Sequence, residues 1–168
     1  MQRAATRDIR PVKSGLGSRP PRTPRPTDET KSVFLSYARR DRPFAKALAQ
    51  YLQARGIKVW WDYKLFPGDK FRDRILAELK SATAVIVIWS DTAIASDFVL
   101  DEASRGKKMG KLITTHVPGF SSSDIPLGFG QSHVVCVTNR GQVLDALAEY
   151  GLIGDVAKTR PLDQSPLA

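Results

Sequence analysis

The stretch Ala84–Trp89, AVIVIW, presents no polar side chain on either face of a strand. A strand apolar on both sides has to be covered on both sides, and the arrangement that does this is the middle of a parallel sheet with helices above and below it. Much of the rest of the chain falls into place around that requirement.

Strand and helix patterns alternate on both sides of this segment. Lys31–Ser36 is a short apolar strand, and Asp41 can cap the helix that follows, with Pro43 tolerated in its first turn. Phe44, Ala47, Leu48, Tyr51 and Leu52 keep the i, i+3, i+4, i+7, i+8 spacing of one helix face, and Gly56 ends it. Ile57–Trp61 is a second strand, on which Trp60 and Trp61 point to opposite faces. A loop with Pro67 and Gly68 comes next. Asp69 can then cap a helix with Phe71, Ile75 and Leu79 inward. Beyond AVIVIW come a helix within Ser96–Gly106, a strand at Lys111–His116, a Ser/Pro/Gly loop over 117–131 and a fifth strand at His133–Thr138. Asn139 and Gln142 form a capping box for the last helix, which buries Val143, Leu144 and Leu147. The expected fold is α/β: a flavodoxin-like five-stranded parallel sheet, order 2-1-3-4-5, with helices on both faces.

Composition sets the boundaries. The net charge of +9 is uneven: residues 1–30 hold seven Lys/Arg against three Asp/Glu and five prolines, the mark of a disordered basic tail. The ordered domain is expected over 31–152, with a flexible tail over 153–168. The most apolar stretch, Ala82–Trp89, is far short of the ~20 residues that span a bilayer. Cys136 is the only cysteine, so no disulfide framework exists and a cytoplasmic setting is expected, with secretion as an effector the alternative. The basic tail reads as solvated, and nucleic acid is not the expected partner. His116 and His133 lack ligand-spaced partners, so no metal site is expected. No Gly-rich dinucleotide or phosphate loop appears.

An open parallel sheet binds ligands beyond the carboxyl ends of its strands, where the strand order reverses, here between the first and third strands. Three segments reach that edge: 36–41, 61–71 and 90–102. In the last, Phe98 and Glu102 stand four apart and share one helix face, while Val99, Ala103 and Gly106 form the stripe that packs inward. Glu102 thus lies at the border of core and cleft. It is either a working carboxylate or an ordinary solvated helix residue.

Three boxes in this order and spacing resemble a TIR (Toll/interleukin-1 receptor) domain. VFLSYARRD at 33–41 is similar to that family's first box, WWDYKLFPGDKF at 60–71 to its second strand and BB loop, and SDFVLDE at 96–102 to the segment carrying the glutamate of NAD-cleaving members. IPLGFG at 125–130 is in the style of bacterial members. The resemblance spans residues 31–150. It implies the same sheet, NAD as substrate with no separate cofactor, and cleavage of the nicotinamide–ribose bond to give nicotinamide and ADP-ribose or a cyclic relative. It also implies self-association through Tyr63, Lys64, Pro67, Gly68 and Asp69, a role in signalling or antiphage defence, and contacts with other TIR proteins. The family usually carries Trp where this chain has Phe98, which keeps a stacking face and loses the indole N–H.

On this resemblance Glu102 is the catalytic residue and Phe98 walls the ribose or nicotinamide pocket. Arg39 is the candidate for the pyrophosphate or ribose. Phe71 either stacks on a ring or belongs to its helix's core stripe. Ser36 and Asp62 are hydrogen-bonding groups at strand ends or caps and loop anchors. Two other readings stand beside the hydrolase: a non-catalytic TIR–TIR scaffold, or effector of host TIR signalling, and a nucleotide N-glycosidase with the same kind of carboxylate.

Overall fold

The computed structural model describes residues 31–61, 69–130 and 134–153, with the side chains of 69–71 excepted. Residues 1–30 and 154–168 lie outside the described residues. Ile153, where the second tail was expected to begin, packs against the core.

Five strands form one sheet in the order β2-β1-β3-β4-β5, every neighbouring pair parallel. They are β1 (Ser32–Tyr37), β2 (Lys58–Trp60), β3 (Ala84–Trp89), β4 (Leu112–His116) and β5 (Val135–Cys136). All six residues of β3 are buried, as its two-faced apolar pattern requires. In the β1–β3 register, Phe34 sits opposite Val85 and Leu35 opposite Ile86. Period-two alternation then sends Val33, Leu35, Ile86 and Ile88 to one core, with Phe34, Val85, Val87 and Trp89 in the other.

The first core is covered by α1 (Arg42–Gln53) and α5 (Arg140–Glu149), through Ala45, Leu48, Leu52, Val143 and Leu147. The second is covered by α2 (Asp69–Ser81), the short α3 (Asp91–Ile94) and α4 (Asp97–Lys108), through Ile75, Leu79, Ala93, Val99 and Ala103. Trp60 stacks on Phe34 with ring centroids 4.9 Å apart, in the second core, while Trp61 packs against the first. Gly106 brings α4 close to the sheet: a Cβ there would lie 3.1 Å from Val85 Cβ.

Local signals hold at the ends of α4 and α5. Ser96 caps α4 by accepting from the Val99 N–H, and Asn139 caps α5 by accepting from that of Gln142. Three expectations need correction. Asp41 precedes α1 but makes no side-chain cap bond, because its carboxylate is engaged elsewhere. Asp69 is already inside α2 rather than ahead of it. Strand β5 is two residues long, since only Val135 and Cys136 pair with β4. The helix α3 was not expected at all; at four residues it is too short to show a period.

Candidate active site

The carboxyl edge of the sheet is where a ligand site was expected, and a polar clasp spans it there. Asp41, buried in a short 3-10 turn after β1, accepts a 2.5 Å hydrogen bond from the Ser90 hydroxyl at the end of β3. A second, longer bond of 3.3 Å comes from Thr92. Ser90 also caps α3 by accepting from the Ala93 N–H. Two hydroxyls satisfy the buried carboxylate, so the switch point between β1 and β3 is tied together by side chains.

The described groove that contains Glu102 is displaced sideways, to the gap between α2 and α4. It has a volume of about 380 Å³. From α2 it takes Arg72, Ile75, Leu76 and Leu79, and from α4 it takes Asp97, Phe98, Asp101, Glu102 and Arg105. Helix periodicity explains the second set, because residues 98, 101, 102 and 105 fall on one side of α4. Burial separates the two residues of that stripe that matter most: Glu102 is only 2 % exposed, whereas Phe98 is 40 % exposed. The carboxylate is thus at the bottom of the groove and the aromatic ring at its mouth. Arg105 donates from Nε to Asp101 at 2.9 Å, which fixes its guanidinium along the α4 side.

The residues proposed from sequence separate into three groups. Glu102 and Phe98 line the groove together. Ser36 is fully buried on the same sheet face as Phe34 and Ala38, and its hydroxyl has no hydrogen-bond partner among the described residues. Arg39 is exposed in the turn after β1 and does not line the groove. Asp62, Tyr63, Lys64, Pro67 and Gly68 lie outside the described residues, as do the side chains of Asp69 and Phe71. Sequence reasoning passed over Arg72, Asp101 and Arg105. The i, i+3, i+4, i+7 series from Phe98 contains two of them and was the available signal.

A larger depression of about 660 Å³ opens between β4, β5 and α5. Its ionisable groups are Asp145, Glu149 and Tyr150, the two acids exposed. Burial, together with the charge of Glu149, raises the Tyr150 phenol pKa above its ordinary value. It holds no buried carboxylate. No helix among the described residues is long and apolar enough to cross a membrane.

A family model described as TIR domain matches residues 33–147. No curated protein matches the chain. Among solved structures, the TIR domain of the Toll-related receptor TRR-2 from Hydra magnipapillata is 17 % identical, with 70 % of this chain and 92 % of that one covered at a TM-score of 0.54. The TIR domains of the activated Roq1 resistosome, which recognises the pathogen effector XopQ, are 20 % identical over 74 % of this chain and 85 % of theirs, at a TM-score of 0.50. At these identities the likeness is one of fold.

Proposed function

The chain belongs to the TIR domain family, and on that premise we propose that it is an NAD glycohydrolase whose catalytic carboxylate is Glu102. The observation that supports this is the pairing on α4 of a 2 % exposed carboxylate with a 40 % exposed aromatic, both lining one groove. Surface glutamates on amphipathic helices are solvated; a glutamate carried to the bottom of a groove costs desolvation and needs a reason.

The chemistry suits the residues. Nicotinamide leaves NAD as a neutral base, the electron pair of the C–N bond going to the ring nitrogen, so no general acid is required. Positive charge develops on the ribose, and the Glu102 carboxylate stabilises it in a site shielded from water. Glu102 then takes a proton from the attacking water, giving ADP-ribose, or from a hydroxyl in the cyclising route. Phe98 supplies a flat wall at the groove mouth. Arg72 and Arg105 take the phosphate role that Arg39 was expected to play, because they line the groove and it does not.

Self-association through residues 63–69 belongs to this proposal, as do a cytoplasmic setting and a role in defence or signalling. The Roq1 TIR domains act in an assembled resistosome, which supports the first of these.

The test is nicotinamide release from NAD over a protein concentration series, with Glu102→Ala as control. Release by the wild type alone supports the proposal. Equal silence of both proteins at every concentration favours the TIR–TIR scaffold. Base release from pyrimidine nucleotides in place of NAD favours the nucleotide N-glycosidase.

A further inference from the structure

The depression between β4, β5 and α5 exists because β5 is short. On that side of β4 only Thr115 and His116 pair with a strand among the described residues, so Leu112–Thr114 runs beside the depression as an open edge. Alternate residues of a strand turn their backbone groups to opposite neighbours. The Lys111 carbonyl accepts from Val85 on the β3 side, so that of Leu112 faces the depression, where the Tyr150 hydroxyl donates to it at 3.4 Å. Leu112, Val134 and Ala146 add a half-buried apolar floor. Proteins cover or blunt open sheet edges of this kind.

The α5 wall is acidic. Asp145 and Glu149 stand four apart on one face of α5, both exposed, and no ion pair engages either among the described residues. Like charges at that spacing repel each other and favour a cation between them. The described lining residues include no Lys or Arg. Cations on the flanking segments are committed elsewhere: Arg140 donates to the Val137 carbonyl, and Lys111 to those of Lys80 and Ala82.

The chain carries a basic segment that starts from this spot. All five strands run the same way, so β1 and β4 begin on the same amino edge, two strand spacings or about 10 Å apart. There the Lys31 ammonium donates to the Gly151 carbonyl, next to Tyr150 at the end of α5. Residues 1–30 precede that anchor and hold seven Lys/Arg against three Asp/Glu. Within them Arg7, Arg10 and Lys13 recur at every third position, with Ile9 and Val12 between. In an extended chain of three residues per turn these make one basic stripe beside one apolar stripe. Residues 14–30 can span up to roughly 55 Å, ample for the distance.

We propose that residues 7–13 of the chain's own amino-terminal segment dock in the β4–α5 depression, with Ile9 and Val12 on its floor and Arg7, Arg10 and Lys13 against Asp145 and Glu149. Docked there, the segment covers the open edge of β4 and keeps it from pairing with a strand of another molecule. Its tether holds it at high local concentration, so modest contacts suffice. The depression shares no described residue with the groove of Glu102, so docking and the NAD reading stand or fall separately.

The experiment is NMR of the full chain with labelled methyl and amide groups. The expected result is nuclear Overhauser contacts from Ile9 or Val12 methyls to those of Leu112 or Val134, with relative intensities unchanged on tenfold dilution. Reversing the wall, Asp145→Lys with Glu149→Lys, lowers the docked-to-free ratio at least about fivefold, read from the Val12 amide shift. Both positions are exposed, so the variant folds. Reversing the segment as well, Arg7→Glu, Arg10→Glu and Lys13→Glu together, restores the contacts. Absence of the contacts in the wild type overturns the proposal, as does a wall reversal that leaves them at full strength or a failed rescue. Contacts that fade on dilution assign the segment to a second copy and overturn docking within one chain.

Discussion

The carboxylate of Asp41 and the hydroxyl of Ser90, forty-nine residues apart in sequence, meet at 2.5 Å across the carboxyl edge of the sheet. The bond ties the turn after β1 to the start of α3, and α3 leads directly into the helix carrying Phe98 and Glu102. The clasp therefore sets where α4 begins. Asp41→Ala is expected to cost about 2 kcal/mol, the range for hydrogen bonds to a buried charged acceptor. Urea denaturation checks this through the transition midpoint, and Asp41→Asn recovers part of the loss because an amide oxygen still accepts from Ser90.

Much of the architecture was legible because it rests on period. The two-faced apolar β3, the alternation of strand and helix and the inward stripes Leu48–Leu52 and Ile75–Leu79 are properties of single segments, and together they leave few topologies open. The site was legible in part. Phe98 and Glu102 share a helix face by spacing alone, but the position of the groove depends on how α2 lies against α4, which no single segment encodes. Asp41 shows the same limit. A local rule assigns it to cap α1, and a partner from another part of the chain wins.

Gly106 sets two effects of known size against each other. Replacing it with Ala gains about 1 kcal/mol of helix propensity. The added Cβ, however, meets Val85 Cβ at 3.1 Å and Val85 Cγ1 at 3.2 Å. Val85 belongs to the central strand and has no room to retreat, so an overpacking cost of about 1–3 kcal/mol applies. The expected outcome is net destabilisation of about 1 kcal/mol, read as a lower urea midpoint at unchanged slope.

Phe98 is exposed, so Phe98→Ala is expected to leave stability within about 0.5 kcal/mol of the wild type. Under the proposed activity its effect is expected in substrate binding: loss of a stacking wall removes about 1 kcal/mol, close to a fivefold rise in KM for NAD. Phe98→Trp moves KM the other way, since the indole adds stacking area and a donor. Steady-state nicotinamide release by the three proteins, with melting curves alongside, measures both quantities.

Lys111 donates to the Lys80 and Ala82 carbonyls at 2.8 and 2.6 Å, closing the end of α2. Burial lowers its pKa from the ordinary 10.5. Between its folded-state value and 10.5 the unfolded chain binds more protons than the folded one, so this group's contribution to stability rises with pH across that window. The difference in unfolding free energy between wild type and Lys111→Met, followed from pH 8 to 11, is expected to grow in favour of the wild type as pH rises. A flat difference contradicts the assignment.

Glu102→Gln keeps the shape of the side chain and removes its charge, so it tests the buried carboxylate with little other disturbance. With NAD saturating, the variant is expected to release nicotinamide about 10²–10³-fold more slowly than the wild type while its melting curve and KM change little. Release at the wild-type rate by a folded Glu102→Gln protein contradicts the account.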